Sequence, residues 1–578
     1  MNELGALSEL AKRRGFFFPA NEAYGGTAGF YTYGPEGAAV KRNVENLWRD
    51  RFVRQAGHME VSSPTIVPEP VFEASGHLDG FEDMIVECDD CGGTHRADHL
   101  VEDAVPEIED AEALGPEAVG ELIAEHEIVC PSCGSPLAPE PVETFNLMFG
   151  TNIGPGNSTP GYLRPETAQG IFVEFPRLKE YARNQLPFAA AQIGRAYRNE
   201  IAPRRALVRV REFTQAELEH FVDPERDEAP VEEVADIEVP LYSIEQQRDE
   251  LGTVERYTVR DAIDVGLLEN DWIAYYLGRS MAFYRNVGID IDRFRYRQHL
   301  PGERAHYASD CWDAETELGG NWIEVTGFAT RSDYDLLKHA EYSEGDFTVF
   351  QQYDEPVTVE RATVDPDMSF LGPEFGGAAG DVAAALKDLA SRDRSAFEAE
   401  TVVVEVDGDE YTVPVDRTGF AVEAQTEAGE HVTPHVIEPS FGIGRLVYSI
   451  LVHGQVVDEV DGEERTYLAL PPAVAPTTVA VVPLMAKDGL DERADEIADT
   501  LRNAGFDVSY DDTGNIGRRY RRQDEVGTPY CVTVDYETLE DGTVTIRERD
   551  TTAQTRVSIE DLTGSIGRLV AGEPFESL

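Results

Sequence analysis

Lysine is almost missing from this chain: six lysines stand beside 43 arginines, and basic residues of both kinds number 49 against 110 acidic ones. The resulting formal net charge of −61 would ordinarily argue against a nucleic-acid partner, because phosphate contacts rest on lysine and arginine. Cysteine is scarce as well, at six in 578 residues. Four of the six form two Cys-x-x-Cys pairs, which in so large an intracellular chain point to a metal site more than to a disulfide framework. Long apolar runs are absent. Nothing approaches a membrane span, and the opening MNELGALSELAKRR has no apolar core of signal-peptide length. A soluble, cytoplasmic protein is expected. The length and the 41% hydrophobic content suffice for a large core and about three or four domains.

The acidic residues are dispersed along the chain, not gathered in one tail. That composition resembles proteins of extreme halophiles, whose acidic surfaces work in molar salt, so the charge reports the solvent more than it excludes a partner.

Strand periodicity and chemistry coincide most clearly in residues 192–221, QIGRAYRNEIAPRRALVRVREFTQAELEHF, which read as strand, loop, strand. In the second strand, alternation puts Arg209, Arg211, Phe213, Gln215, Glu217 and Glu219 on one face and Val208, Val210, Thr214, Ala216 and Leu218 on the other. The apolar face is expected to be core. The polar face carries both charge signs around one aromatic ring, which suits an anion, a flat base and an amine. Arg198 and Glu200 share a face of the incoming strand. An arginine fork matches phosphate bidentately, and a glutamate accepts from an exocyclic amine such as that of adenine. A solvated hairpin with cross-strand ion pairs is the alternative that the pattern leaves open.

Upstream, Val40, Val44, Leu47, Trp48 and Phe52 fall at helical spacing before Gly57, and GHMEVSSPTIVP reads as a strand interrupted at Pro64, suited to a sheet edge or an interface. Cys88 and Cys91 pair with Cys130 and Cys133 across an acidic spacer from Glu102 to Glu127. Such a set supplies four thiolates to a structural, tetrahedral zinc, or else remains reduced thiols. LRPETAQGIFVEF, residues 163–175, places Arg164 and Glu166 beside a turn. Residues 222–294 read as an acidic and helical insertion whose aromatic stripe, in LLENDWIAYYLGRSMAFYRNVG, is core. Glu324 stands in an otherwise apolar strand, WIEVTGF, where a buried carboxylate needs magnesium or a paired arginine. A second acidic insertion, 341–433, carries a hairpin turn at Asp407-Gly408.

HVIEPSFGIGRLVYSIL then gives a strand, a glycine turn and a helix with Arg445 in its first turn, a combination that favours an anion. Pro471, Pro472 and Pro476 mark a linker, 471–476, before a separate α/β domain, 477–578. That domain holds the clearest basic patch, Arg518, Arg519, Tyr520, Arg521 and Arg522. It suits phosphate contact and base stacking, or pairing with acidic neighbours.

Together these segments resemble the class II aminoacyl-tRNA synthetases, and among them the glycyl-tRNA synthetases of the archaeal and eukaryotic dimeric type, over nearly the whole chain. GHMEVSSP resembles the first class II motif, which builds the family's dimer interface; YRNE through VRVREF resembles the second and FGIGR the third. The glycyl likeness rests on GFFFPANEAYGG, GFYTYGP, RPETAQG, REFTQAELEHF, AHYASDCWDAE and GRRYRRQDEVGTPYCVT.

The resemblance implies an α/β fold of α+β type: a catalytic domain, 1–470, built on an antiparallel sheet flanked by helices. Inserts at 85–140, 222–294 and 341–433 interrupt it, and an anticodon-binding α/β domain at 477–578 follows. It implies ATP-dependent attachment of glycine to tRNA(Gly) through a glycyl-adenylate, by a homodimer that uses Mg2+ and a structural Zn2+ on Cys88, Cys91, Cys130 and Cys133. Carried over, Arg198 would hold the α-phosphate, Glu200 the adenine amine, and Phe213 and Arg445 the two faces of adenine. The ATP site would also take in Asn199, Val208, Arg209, Val210, Arg211, Glu212, Glu324, Val325, Gly442, Ile443 and Gly444. Arg209 and the loop pair Arg204 and Arg205 would lie toward the outer phosphates.

The glycine ammonium would sit among Glu166, Glu217, Glu438 and Ser440. Arg96, Phe213, Thr214, Gln215, Ala216, Pro439, Phe441 and Gly442 would complete that site, and tRNA would meet Arg518 to Arg522. A pocket for glycine can exclude every larger amino acid sterically, so no editing domain is required. Two alternatives remain. One is a prolyl or threonyl enzyme of the same subgroup, against which the three glutamates argue. The other is a non-catalytic synthetase-like nucleic-acid-binding subunit, which has no use for Arg198, Glu200, Phe213 and Arg445 together.

Overall fold

A computed structural model describes residues 3–105, 108, 111, 114–137, 142–156, 159–203, 205–249, 252–301, 310–406, 408–460 and 462–578. Arg204, Asp407 of the expected hairpin turn and residues 305–309 of AHYASDCWDAE lie outside the described residues. The chain divides into two compact units, Met1–Phe347 with Thr433–Leu578, and Thr348–Val432.

The two strands expected around residue 200 lie inside a nine-stranded sheet. Its strands are β1 (Met59–Glu60), β2 (Phe188–Tyr197), β3 (Glu212–Val222), β4 (Glu238–Tyr242), β5 (Glu255–Thr258), β6 (Phe294–Gln298), β7 (Asp310–Leu318), β8 (Asn321–Ser332) and β9 (His435–Gly442). Their spatial order is β5, β4, β6, β7, β8, β9, β3, β2, β1. Neighbours are antiparallel except β4 with β6 and β2 with β1. The short β1, ahead of Pro64, forms one edge.

Three expectations change. First, β3 begins at Glu212, not at residue 208. Arg205 and Ala206 take left-handed backbone angles, φ 57° and 51°, and the Arg211 N–H donates to the Gly29 carbonyl at 2.8 Å. Arg209 and Arg211 therefore arrive on a loop. Second, both faces of β3 are buried from Gln215 onward, because β2 and β9 flank it and protein covers each side. A solvated hairpin is excluded. Third, residues 222–294 are integral to the sheet, supplying β4, β5 and the start of β6. Most of the acidic residues that suggested an insertion lie between the strands, with Glu238 and Glu255 at strand starts.

The helices α1 (Pro35–Arg49), α2 (Asp271–Val287), α3 (Tyr334–Tyr342) and α4 (Ile443–His453) pack on this sheet. Val40, Val44 and Trp48 of α1 join Phe52, Phe283 and Phe441 in the main core, as their helical spacing requires. Asn270 caps α2 by accepting from the N–H groups of Trp272 and Ile273. Thirteen of the seventeen α2 residues are buried, so its aromatic stripe is core.

The cysteine segment has a small core of its own, with Met84, Val86, Val101, Val119 and Ile123 between helices and a sheet of Glu82–Glu87, Thr94–Arg96 and Glu143–Asn146. The unit Thr348–Val432 pairs the long strands Val349–Thr363 and Ala421–Val432, and packs helix Ala379–Arg392 on a hairpin through Val382, Leu386, Val402 and Val413.

Beyond residue 476, β10 (Val479–Pro483), β11 (Val508–Tyr510), β12 (Tyr530–Val534), β13 (Thr543–Glu548) and β14 (Gln554–Ser558) form a sheet in the order β11, β10, β12, β13, β14. Around it run α5 (Leu490–Asn503), α6 (Ile516–Val526) and α7 (Ile559–Val570). Leu490, Ala494, Ile497, Ala498 and Leu501 form the buried stripe of α5. The proline linker is packed: Val474 and Ala475 are buried, and Asn43 and Arg549 donate to the carbonyls of Ala475 and Leu470 at 3.0 Å. No helix among the described residues is long and apolar enough to cross a membrane.

Candidate active site

The sheet opens between β3, β8 and the start of α4 into a cleft. Arg198, Glu200, Val208, Arg209, Val210 and Phe213 line one side; Thr214, Gln215, Glu324, Val325, Ser440, Gly442, Gly444 and Arg445 line the rest. The Arg198 guanidinium lies 5.3 Å from the Phe81 ring and 5.5 Å from the Phe213 ring, and donates through Nε to the Pro165 carbonyl at 3.3 Å. Its terminal nitrogens make no hydrogen bond among the described residues, which leaves them for an anion. Glu200 Oε2 accepts from Arg209 Nε at 2.5 Å. Arg445 donates to the Val208 carbonyl at 3.0 Å and, through Nη1, to the Glu324 carbonyl and carboxylate, both at 2.9 Å. A Cβ on Gly444 would stand 3.2 Å from Tyr33 Oη, so a larger residue there would press on the Tyr33 hydroxyl.

Glu324 corrects an expectation. Its side chain is 48% exposed on the cleft rim, not buried within its strand, because its side of β8 faces the opening. The packing that surrounds it elsewhere works against its charge, but Arg445 and then Arg198 hold the carboxyl below the usual range. Nearby Asp313 accepts from His299 at 2.8 Å and is pushed up to about 6, by burial first and then by Glu324. Together they offer hard oxygen donors of the kind Mg2+ takes.

Further in, carboxylates crowd together. Glu217 is 1% exposed; it accepts from the Thr167 N–H at 2.8 Å, the Thr167 hydroxyl, Gln215 Nε2 at 2.8 Å and Ser440 Oγ at 2.7 Å. Glu438 accepts from Arg331 at 2.9 Å, and Arg331 clamps Asp335 of α3 through two nitrogens at 2.7 and 2.9 Å. Glu166 accepts from Gln169 at 3.0 Å and stands 3.6 Å from His77 Nε2. Burial, followed by Glu166, raises the Glu217 carboxyl, and burial pushes Glu438 up to about 7 against the pull of Arg331. Glu166 goes the other way: His77 overcomes its burial and keeps it well below the usual range. A small cavity wall so rich in carboxylate is suited to an ammonium group.

Several expected residues do not present side chains here. Arg211 donates to the carbonyls of Glu200 and Ala28, and Glu212 pairs with Arg195. Ala216, Phe441 and Ile443 point into the main core, and Pro439 is buried where β9 meets Phe328 of β8. Strand alternation and the late start of β3 explain these placements. The Asn199 backbone N–H donates to the Leu147 carbonyl. Arg96 pairs with Asp83 and Asp98, and Asp83 in turn stands 3.8 Å from Arg209 of the cleft. Arg205 is exposed and donates to Asn321 at 3.4 Å. Arg331, Asp335, Phe81 and Thr167 were missed. They come from other elements, and no spacing ties them to β3.

The four cysteines converge, with every Sγ within 4.8 Å of the others and two pairs at 3.6 and 3.7 Å. A zinc–sulfur length of about 2.3 Å in a tetrahedron implies sulfur separations near ~3.8 Å, so the set fits zinc. The two turns are alike: Gly92 and Gly134 have φ 65° and 76°, and their N–H groups donate to the carbonyls of Cys88 and Cys130. The same segment supplies Phe81, Asp83 and Arg96, which ties it to the cleft.

The basic patch on α6 is largely spent inside the protein. Arg519 is 2% exposed and donates to the carbonyls of Pro483, Asp512 and Gly514. Tyr520 is half-buried, bonded to Thr533 and covered by Arg547. Arg519 is thereby withdrawn from solvent and Tyr520 partly so, because α6 turns this side to the sheet. Arg521 pairs with Glu463 and Arg522 with Asp511. Arg518 is exposed and makes no ion pair among the described residues.

The nine-stranded, mostly antiparallel sheet, with its cleft between β3, β8 and the start of α4, lies largely within a segment that matches the core of the class II aminoacyl-tRNA synthetases. Residues 156–453 match the family model "tRNA synthetase class II core domain (G, H, P, S and T)", and residues 478–569 match "Anticodon binding domain". A glycine–tRNA ligase of Methanothrix thermoacetophila is 48% identical over 576 residues, 99% of this chain and 98% of that protein. One of Pyrococcus horikoshii is 46% identical, over 98% of each; one of Methanocaldococcus jannaschii is 44% identical, over 96% of this chain and 97% of that protein. The chain belongs to the glycine–tRNA ligase family. A solved prolyl-tRNA synthetase from Cryptosporidium parvum, complexed with L-proline and AMP, shares the fold with a TM-score of 0.50 and 11% identity, covering 98% of this chain and 74% of that one.

Proposed function

We propose that this protein joins glycine to tRNA(Gly) in two steps at the cleft, with ATP consumed in the first. The observation that carries the reading is the set of buried Glu217 and Glu438 with the partly exposed Glu166 beside the Arg198–Phe213–Arg445 cleft. The carboxylates receive the glycine ammonium, aided by Ser440. The glycine carboxylate is thereby aimed at the α-phosphate, and Arg198 neutralises charge that develops there as pyrophosphate leaves. Phe213 and Arg445 hold adenine between them, while Glu200, oriented by Arg209, accepts from its amine. No side-chain nucleophile is required, since positioning and electrostatics supply the acceleration. Glu324 is the residue that would hold Mg2+, which would supply positive charge to bound ATP.

Zn2+ on Cys88, Cys91, Cys130 and Cys133 would be structural, fixing the segment that carries Phe81 against Arg198. The protein acts in the cytoplasm as a homodimer formed along the β1 edge, and the C-terminal domain meets the tRNA anticodon with Arg518 as its available cation. The test is charging of tRNA(Gly) transcript with labelled glycine. Acid-stable, alkali-labile glycyl-tRNA is expected only with ATP, and its absence from folded protein would reject the reading.

A further inference from the structure

The acid pocket holds one group that the reaction leaves unused. Glu219 lies on β3 two residues beyond Glu217, hence on the same face. It is fully buried, and neither carboxyl oxygen has a hydrogen-bond partner among the described residues. The register that sets Glu217 opposite Ser440 and His220 opposite Ile437 sets Glu219 opposite Glu438. Residues so placed have Cβ atoms about 4.5–5.5 Å apart. The groups facing this pair are Glu217 from β3, Glu166 from the preceding loop, Arg331 from β8, Asp335 from α3 and the Tyr276 phenol from α2. Among the five carboxyls Arg331 is committed to Glu438 and Asp335, while Arg164 acts on Glu217 and His77 on Glu166.

We infer that the empty pocket carries a proton on the Glu219–Glu438 pair, and that the ammonium of glycine displaces this proton to solvent on binding. The inference rests on the proposed glycine site. Facing carboxyls in a dry site do not both ionise, and they lose their protons as a pair. Burial first, then the neighbouring carboxylates, raises both members. The proton balance closes. Glycine enters as its net-neutral zwitterion with the ammonium intact, one carboxylic O–H of the pair breaks and the proton passes to buffer; the ammonium charge takes the place of the proton's beside the pair, and the liganded protein as a whole becomes one unit more negative.

Calorimetric titration of the full-length protein with glycine, in buffers of matched pH and different ionisation enthalpy, counts the protons released. Release approaching one proton is expected at neutral pH, fading toward alkaline pH as the pair ionises beforehand. Glycine stays zwitterionic through the neutral range and contributes none. Glu219→Gln keeps the side-chain shape but removes one titrating site, and should lower the release. Saturable glycine heat that is identical in every buffer overturns the inference and leaves the glycine site standing. Release undiminished in folded Glu219→Gln does the same. No saturable heat from folded protein overturns both. Should the variant fail to fold, the wild-type buffer series decides alone.

Discussion

Replacing Arg198 with alanine separates catalysis from folding more cleanly than any other change in the cleft. The side chain is held by one backbone acceptor at 3.3 Å and by two rings at 5.3 and 5.5 Å. Cation–π contacts of this kind contribute about 0.5–1 kcal/mol each, so the fold should lose only about 1–2 kcal/mol. The transition state loses more. A fork on the α-phosphate makes two charge-assisted bonds at about 1.5–3 kcal/mol each, and a loss of about 3–6 kcal/mol is roughly a 10²- to 10⁴-fold fall in rate. The assay is glycine-dependent ATP–pyrophosphate exchange, with circular dichroism and thermal melts as controls for folding. Arg198→Lys, a point charge without the fork, should recover part of the loss. Exchange at wild-type rate in folded Arg198→Ala would refute the phosphate role.

Cys130→Ser should release zinc, measured by metal analysis, and weaken ATP binding as well, because the same segment places Phe81 and Asp83; stoichiometric zinc in the variant would contradict the four-thiolate site. Arg331→Met removes the partner of Asp335 and Glu438 and should destabilise the protein by about 3–5 kcal/mol at neutral pH. The Glu438 carboxyl is already raised to about 7. A carboxyl raised in the folded state contributes stability at acid pH that is lost as pH climbs through its folded pKa, so the deficit of Arg331→Met should shrink in acid, as melts across pH would read. Arg519→Ala should destabilise the C-terminal domain, whereas Arg518→Ala should weaken tRNA binding with the melt unchanged; equal melts for the two would sink this division of roles. If the charge of −61 reports a saline solvent, aminoacylation should peak above roughly 1 M potassium chloride, where the screening length is about 3 Å. Tightest tRNA binding at low salt by folded protein would contradict that.

Chemistry was legible where one strand or turn carried it. Glu217 and Phe213 share a β3 face, Arg445 follows a glycine turn, and the cysteines announce themselves by spacing. The limits of β3 were not legible, because left-handed Arg205 and Ala206 look like any strand residues in sequence. Burial misled twice. Glu324 sits among apolar neighbours yet faces the cleft, and Arg519 sits in a charged run yet is held by three backbone carbonyls. The Arg331–Asp335–Glu438 triad joins β8, α3 and β9. Tertiary folding alone brings those three together, so no periodicity could reveal them.

The central claim is that the carboxylate pocket admits glycine and passes it to ATP. It is tested most directly by pyrophosphate exchange with each proteinogenic amino acid in turn, in molar potassium chloride and again in dilute buffer. The account predicts exchange with glycine alone, abolished in Arg198→Ala. Exchange supported by proline or threonine, or none with glycine under conditions where the protein is folded, would contradict it.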